Sequence, residues 1–316
     1  MERRVRVFRL KAEISGEHTL SREVFESLTL KHFPWHQPKD NHLKGAGEGN
    51  YYAVCPACTN PVQILGLYRP LPQTPHPYAR HTGERIPGFE FFDGDAHQNC
   101  PYIVKHKPGC RDLKASIEGL PIRILEVLLN HFDRVIYTLE QDTGVRISPN
   151  LARAMLRSYL DGKGYLYVGA TIQNIPWTFA YMANAHSLYG RTIHNNEAMK
   201  DAIRKRHPVA GLTDTGELGK GTAYYSILWS FILHTITAGD TLEETMKMVL
   251  ADDRQRRIYT QEIRFDHNRF ERLLNTPPER ARRNAVLLKV AQEEFESRRD
   301  IPEIKTTALA GKMTAL

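Results

Sequence analysis

Cysteine is scarce, four in 316 residues, too few for the disulfide framework of a small secreted scaffold. Long apolar runs are missing too. The longest, Ala223 to Ala238, is interrupted by Ser226, Ser230 and His234 and falls short of the roughly twenty apolar residues that a bilayer-spanning helix needs. The opening residues, Met1 to Ser15, carry charges throughout and no apolar stretch of signal-peptide length. These absences set the expectation of a cytoplasmic protein without a membrane segment. Familiar catalytic signatures are lacking as well. There is no H-E-x-x-H, and no His-x-Glu upstream of the cysteine pair, as a zinc deaminase would require. The run Gly216 to Thr222 fails as a phosphate loop, because Asp214 and Gly221 stand where Gly and Ser/Thr belong. No repeat of 20–50 residues is present.

What remains is an ordinary globular composition, 41% hydrophobic and 25% charged, sufficient for one large domain or two unequal ones. Lys and Arg total 43 against 36 Asp and Glu, a net charge of +7. Such a surplus favours polyanions, whose condensed counterions are released on contact. Residues 151–200 hold five basic and two acidic side chains, the largest local excess. There, Arg153, Arg157, Lys163 and Arg191 interleave with Tyr159, Tyr165, Tyr167, Trp177, Phe179, Tyr181 and Tyr189. That pattern suits cations meeting phosphates while rings stack bases, or rings filling a helical core. A second arginine series, from Arg254 to Arg283, is dense in acids too and reads either as a salt-bridged helical surface or as a nucleic-acid face.

The chain divides by texture. Arg4 to Val7 alternates polar and apolar residues, the signature of a strand that continues toward Ile14. His36 to Asn50 reads as a glycine-rich loop, and residues 51–110 combine all four cysteines with nine prolines. Beyond about residue 115 helical spacing takes over. Pro121 to Leu139 gives an apolar stripe over five turns, and Ser148-Pro149 opens a helix to about Leu160 with a cap and a first-turn proline. Arg153 and Arg157 then lie one turn apart, as in a helix-turn-helix. Tyr165 to Val168 reads as a short strand. Trp177 to Ala185 and Asn195 to Arg206 read as helices, and the segments 241–248, 254–274 and 278–298 as a helix-rich end. The expected fold is therefore α+β: a β-leaning metal-binding module over 1–113, a mostly helical domain over 114–300, and a flexible tail over 301–316.

The strongest chemical signal is Cys55-Pro56-Ala57-Cys58. Two thiolates three positions apart grip one metal ion from a tight turn, as in zinc ribbons and knuckles. Pro61 and Val62 follow in a hairpin-like pattern, unlike the helix that a redox C-x-x-C begins. A structural zinc needs two more ligands, and His76, His81, His97, Cys100, His106 and Cys110 are the nearby candidates. Cys100, followed by a proline like Cys55, stands out as the third. For the fourth, His81 and His97 compete.

This order of residues resembles the CoiA-like zinc ribbon of competence-related and mobile-element-associated bacterial proteins. The matching residues are Cys55, Cys58, His81 within Tyr78-Ala79-Arg80-His81, and Cys100, over roughly residues 51–103. The resemblance implies a structural Zn2+ and, in some relatives, an attached restriction-type nuclease domain. The one tidy E-x-K, Glu303-Ile304-Lys305, is the only sequence support for such a centre. The expected function is a zinc-ribbon nucleic-acid-binding protein of a bacterial mobile element or defence system. A metal-dependent nuclease and a protein-protein adaptor are the alternatives.

Overall fold

A computed structural model describes residues 5–11, 16–38, 49–72, 74–89, 91–277, 279–302 and 304. The chain forms two units. The first comprises Met1–His106 with Glu118–Leu120 and Ile236–Glu243; the second comprises Lys107–Ile117, Pro121–Thr235 and Glu244–Leu316. Both helices and antiparallel sheets are present, an α+β architecture. Among the described residues no helix is long and apolar enough to cross a membrane.

In the first unit, β1 (Val7–Phe8) pairs with β2 (His18–Thr19), and α1 (Arg22–Thr29) follows. Ser21 opens α1 by accepting the Val24 N–H, the usual way to satisfy an orphan amide at a helix start. Then β3 (His36–Gln37), β4 (Asn50–Val54), β5 (Pro61–Leu65) and β6 (Tyr78–His81) form an antiparallel meander. Val54 faces Pro61 in register, and Val62 faces His81. Isolated bridges join Val5 to Ala79 and Arg9 to Val54. Phe8, Phe25, Val54 and Val62 fill a small apolar core. The short helix α2 (Gly94–Gln98) completes the unit. His36–Gln37 and Asn50 therefore lie on strands rather than in the expected loop, whose middle falls outside the described residues, as do Arg4 and 12–14 of the expected opening strand.

The second unit is larger. Helix α3 (Leu120–Thr143) is kinked at His131, and α4 (Pro149–Asp161) starts from a Ser148 cap with proline at its first position. A 3-10 turn at Gly164–Leu166 leads to α5 (Ile175–Met182), β7 (His186–Ser187) and α6 (Glu197–Arg206). The strands β8 (Gly211–Leu212) and β9 (Leu218–Gly219) form a small pair. Three long strands follow, β10 (Ile227–Ala238), β11 (Leu242–Asp252) and β12 (Arg257–Arg264), arranged β12-β11-β10-β7 in one sheet. Helices α7 (His267–Leu274) and α8 (Ala285–Glu296) end the described chain.

The sheet corrects the expectation of a mostly helical domain. Residues 242–252 and 257–264 are strands, and helix is confined to 267–274 and 285–296. Leu242, Glu244, Met246 and Met248 alternate inward with Glu243 and Lys247 outward, the period of two that a strand imposes. The helix-favouring Glu, Met and Lys yield here to cross-strand pairing, as tertiary context routinely overrides propensity. Likewise the segment expected as a strand at Tyr165 to Val168 begins inside the 3-10 turn and contributes only an isolated bridge, Leu113 to Tyr167. Of the aromatic run, Tyr159, Tyr165, Tyr167, Trp177, Phe179 and Tyr181 are all buried, and Tyr189 alone is exposed. Those rings make the core, which is the packing alternative rather than the stacking one. Of the expected tail, Glu303 and 305–316 lie outside the described residues, and with them both charged residues of the E-x-K, Glu303 and Lys305.

Candidate metal centre

The strand β4 ends at Val54, and the chain turns at once through Pro56, Ala57 and Cys58. The turn closes by hydrogen bonds from Thr59 N–H to the Cys55 carbonyl and from Cys55 N–H to the Asn60 carbonyl. Both thiols are thereby held on one side of a tight loop between β4 and β5. His81 arrives as the last residue of β6, in register with Val62 of β5. Cys100 follows the end of α2, where its N–H bonds the His97 carbonyl. Sequence separation vanishes: Cys55, Cys58, His81 and Cys100 bring their ligand atoms within 4.8 Å of one another. All four residues are buried.

Two of the ligand–ligand distances match those of a coordination shell. Cys55 Sγ lies 3.8 Å from Cys100 Sγ, far beyond the roughly 2.05 Å of a disulfide. Cys58 Sγ lies 3.4 Å from His81 Nε2. A tetrahedral ion with metal–sulfur bonds near 2.3 Å and metal–nitrogen bonds near 2.05 Å would place sulfurs about 3.8 Å apart and sulfur and nitrogen about 3.6 Å apart. The four side chains could hold a metal ion with little rearrangement. His97 stands outside the cluster, with its ring T-shaped against that of His81 at 5.4 Å between centroids. His76 is exposed, and Cys110 is half-buried and apart from the group.

Electrostatics point the same way. Burial opposes the ionisation of Cys58, but hydrogen bonds with Cys100, Cys55 and His81 outweigh it and pull its thiol well below the ordinary range. Burial pushes the Cys100 thiol well up, and the neighbouring Cys55 and Cys58 add to the rise. Burial raises Cys55 as well. One thiolate forms readily and the next two resist, because like charges crowd a dry site. A divalent cation removes that conflict, since a metal-bound thiol ionises outright.

A brace behind the ligands ties the two halves of the cluster together. Fully buried Asn60, at the end of the cysteine turn, donates from Nδ2 to the Asp93 carbonyl at 2.9 Å and accepts the Asp93 N–H at 2.7 Å. Asp93 in turn caps α2 through the Ala96 N–H and accepts the Leu120 N–H. Gly119, at φ +61°, makes this approach possible, since a Cβ there would sit 2.6 Å from Asp93 Oδ2. Sequence reading missed Asn60 and Asp93 because neither sits at a recognisable spacing from the cysteines.

The four cations expected to contact nucleic acid are placed differently from one another. Arg153 pairs with Glu293 and Glu294, and Arg157 makes a bidentate contact with Glu294. Both therefore pair with carboxylates of α8, while the Arg157 side chain stays exposed. Arg191 donates to Ser148 Oγ at 2.9 Å. Lys163 is exposed. The later arginine series splits in the same manner: Arg256, Arg269 and Arg283 pair with Asp252, Asp142 and Asp133, whereas Arg254, Arg257, Arg280 and Arg282 are exposed.

A second buried polar cluster lies in the sheet of the larger unit. Glu244 of β11 meets His234 Nε2 of β10 at 2.8 Å, Asn174 Nδ2 at 2.8 Å and His267 Nε2 at 3.2 Å. His234 Nδ1 lies 2.9 Å from the Tyr167 hydroxyl. A neutral imidazole satisfies both contacts, donating to Glu244 and accepting from Tyr167. Burial would raise the Glu244 pKa, but the bonds to His234 and His267 prevail and lower it to about 2. Leu233, at φ +55°, supplies the extra residue that turns His234 inward, as a β-bulge does. His267 is nearly buried beside Trp177. No protein-family model, curated protein or solved structure matches this chain.

Proposed function

We propose that this chain is a nucleic-acid-binding protein whose N-terminal unit is ordered by one structural zinc ion. The convergence of Cys55, Cys58, His81 and Cys100 carries the reading. Three thiolates and an imidazole suit zinc, a borderline-soft ion with no geometric preference of its own. Four protein ligands, all buried, leave no position for water or substrate, so the ion is structural rather than catalytic. Its binding energy is folding energy for a unit with a modest core.

The nucleic-acid part rests on the charge of +7 and on arginines that the fold leaves exposed, Arg254, Arg257, Arg280 and Arg282. Such side chains neutralise phosphates and release counterions. The assignment to a bacterial mobile element or defence system rests on the resemblance of residues 51–103 to the CoiA-like ribbon. The test combines elemental analysis with fluorescence-polarisation titration against single- and double-stranded oligonucleotides over a salt series. One zinc per chain, and affinity that falls steeply with salt, are expected. Zinc-free folded protein would remove the first half of the reading; absence of binding at low salt would remove the second. Cleavage of the oligonucleotides on adding magnesium or manganese would convert binding into nuclease activity. A protein complex that survives nuclease treatment, without oligonucleotide binding, would make the chain an adaptor.

A further inference from the structure

Buried aromatic rings fill the larger unit, yet one group of rings breaks its surface. Tyr224 is 88% exposed, Tyr189 is 55% exposed and Leu228 is 38% exposed. They belong to one neighbourhood. Leu228 of β10 is in register with Ser187 of the edge strand β7, two residues before Tyr189. The Tyr189 ring lies 5.9 Å from that of Tyr225, and Tyr225 lies 6.0 Å from the ring of His207. Tyr225 is itself buried and is fixed by donating its hydroxyl to the Gly219 carbonyl at 2.6 Å. The backbone of Gly221 runs so close to this ring that a Cβ would meet Tyr225 Cδ1 at 3.0 Å. Tyr189 therefore rests against a fixed aromatic base, and exposed Tyr224 immediately precedes Tyr225 of that base in the chain.

Cations border the same ring group. Lys220 lies between Gly219, which holds the Tyr225 hydroxyl, and Gly221. Arg204, Lys205 and Arg206 end α6 immediately before His207, and all three are exposed. Arg206 donates to the carbonyls of Arg257 and Ile258, which brings exposed Arg257 to the same edge. Among the described residues Arg204 has a carboxylate partner, Asp201. Asp214 and Glu217 are the exposed acids of the β8–β9 turn. Three arginines and two lysines thus face three acids.

We propose that Tyr189 and Tyr224, backed by Tyr225 and His207 and flanked by Lys205, Arg206 and Lys220, form a stacking platform for single-stranded nucleic acid. Exposed rings accept bases through their faces whatever the sequence, while nearby cations follow the phosphates. A duplex hides its base faces and gains only the electrostatic part. The inference rests on the nucleic-acid reading above and names the face and the strand state.

The experiment uses the full chain with its metal. A fluorescein-labelled oligothymidylate and a duplex of equal length are titrated by fluorescence polarisation at low salt. The parent chain should prefer the single strand. Tyr189→Ala with Tyr224→Ala should weaken single-strand affinity by about tenfold or more and leave the duplex nearly unchanged, as expected for lost stacking. A thermal melt checks that the double variant remains folded, and Tyr224→Phe, which keeps the ring, should retain binding. Lys205→Glu with Lys220→Glu should flatten the salt dependence for both forms. Parent binding that the double tyrosine variant preserves would overturn the platform while leaving the nucleic-acid reading intact. A parent that binds neither form would overturn both.

Discussion

The two units reach order by different means. The larger one buries Trp177, Trp229, Phe132, Phe179 and four tyrosines completely, and each such ring contributes substantially through burial and packing. The smaller one has strands of five residues or fewer and a core built on Phe8, Phe25, Val54 and Val62. Its cysteine turn, β6 and the end of α2 converge on four polar ligands where a core would otherwise need apolar bulk. Small domains with little apolar area commonly rely on a metal to hold together. The polar clusters differ in kind as well. The Cys3His group is left with competing ionisations that a cation would settle, whereas Glu244 Oε2 is bonded within the chain by His234 and Asn174, with His267 Nε2 3.2 Å from Oε1. The smaller unit carries a cluster that could take an ion from outside the chain, and the larger one meets its buried carboxylate with groups of its own.

That contrast can be broken most directly at Cys55. Cys55→Ser, or a strong chelator, should destabilise the smaller unit by roughly several kcal/mol, because metal binding and folding are one equilibrium there. Calorimetry should show the transition of the smaller unit lost and that of the larger unit retained. Loss of both transitions, or of neither, would end the comparison.

Acid should act on the larger unit through Glu244. Its folded pKa, about 2, lies below the ordinary 4.5. The associated stability is therefore fully present above the ordinary value and is lost as pH falls toward 2. This contribution is on the order of 3 kcal/mol. Urea midpoints of the larger unit should fall with acidification, and Glu244→Gln, unable to ionise, should be weaker at neutral pH with a shallower acid slope.

Smaller effects sharpen the picture of the metal centre. Asn60→Ala removes both bonds to the Asp93 backbone, leaving buried groups unpaired at a cost of about 1–3 kcal/mol. Competition with a chromogenic chelator should show metal affinity reduced about tenfold or more, as for other outer-shell partners. His97→Ala should change neither metal content nor affinity, whereas His81→Ala should reduce both. The reverse result would move the fourth ligand.

Local signals were readable where the chain speaks locally. Ser148 and Pro149 announced α4, the apolar stripe from Ile122 to Leu139 announced α3, and Cys55-Pro56-Ala57-Cys58 announced a thiolate pair. The strands β11 and β12 were misread because Glu, Met and Lys favour helix in isolation, and Glu244 occupies an inward position that alternation reserves for apolar residues. Its partners His234 and Asn174, which no local spacing links to it, make that position tolerable. Arg153 and Arg157 shared a face as their spacing required, but the carboxylates of α8 that claim them lie some 140 residues away.

By itself the sequence determined which residues had the chemistry to ligate a metal, where two long helices begin, and the sign of the net charge, since composition and i-to-i+4 spacing are local properties. Tertiary structure alone decided that His81 rather than His97 closes the cluster. It also decided that most of the central aromatic run is core and that Tyr189 of that run stays exposed. Those outcomes depend on strand register and on which faces meet, and no stretch of chain encodes them without the partner it packs against.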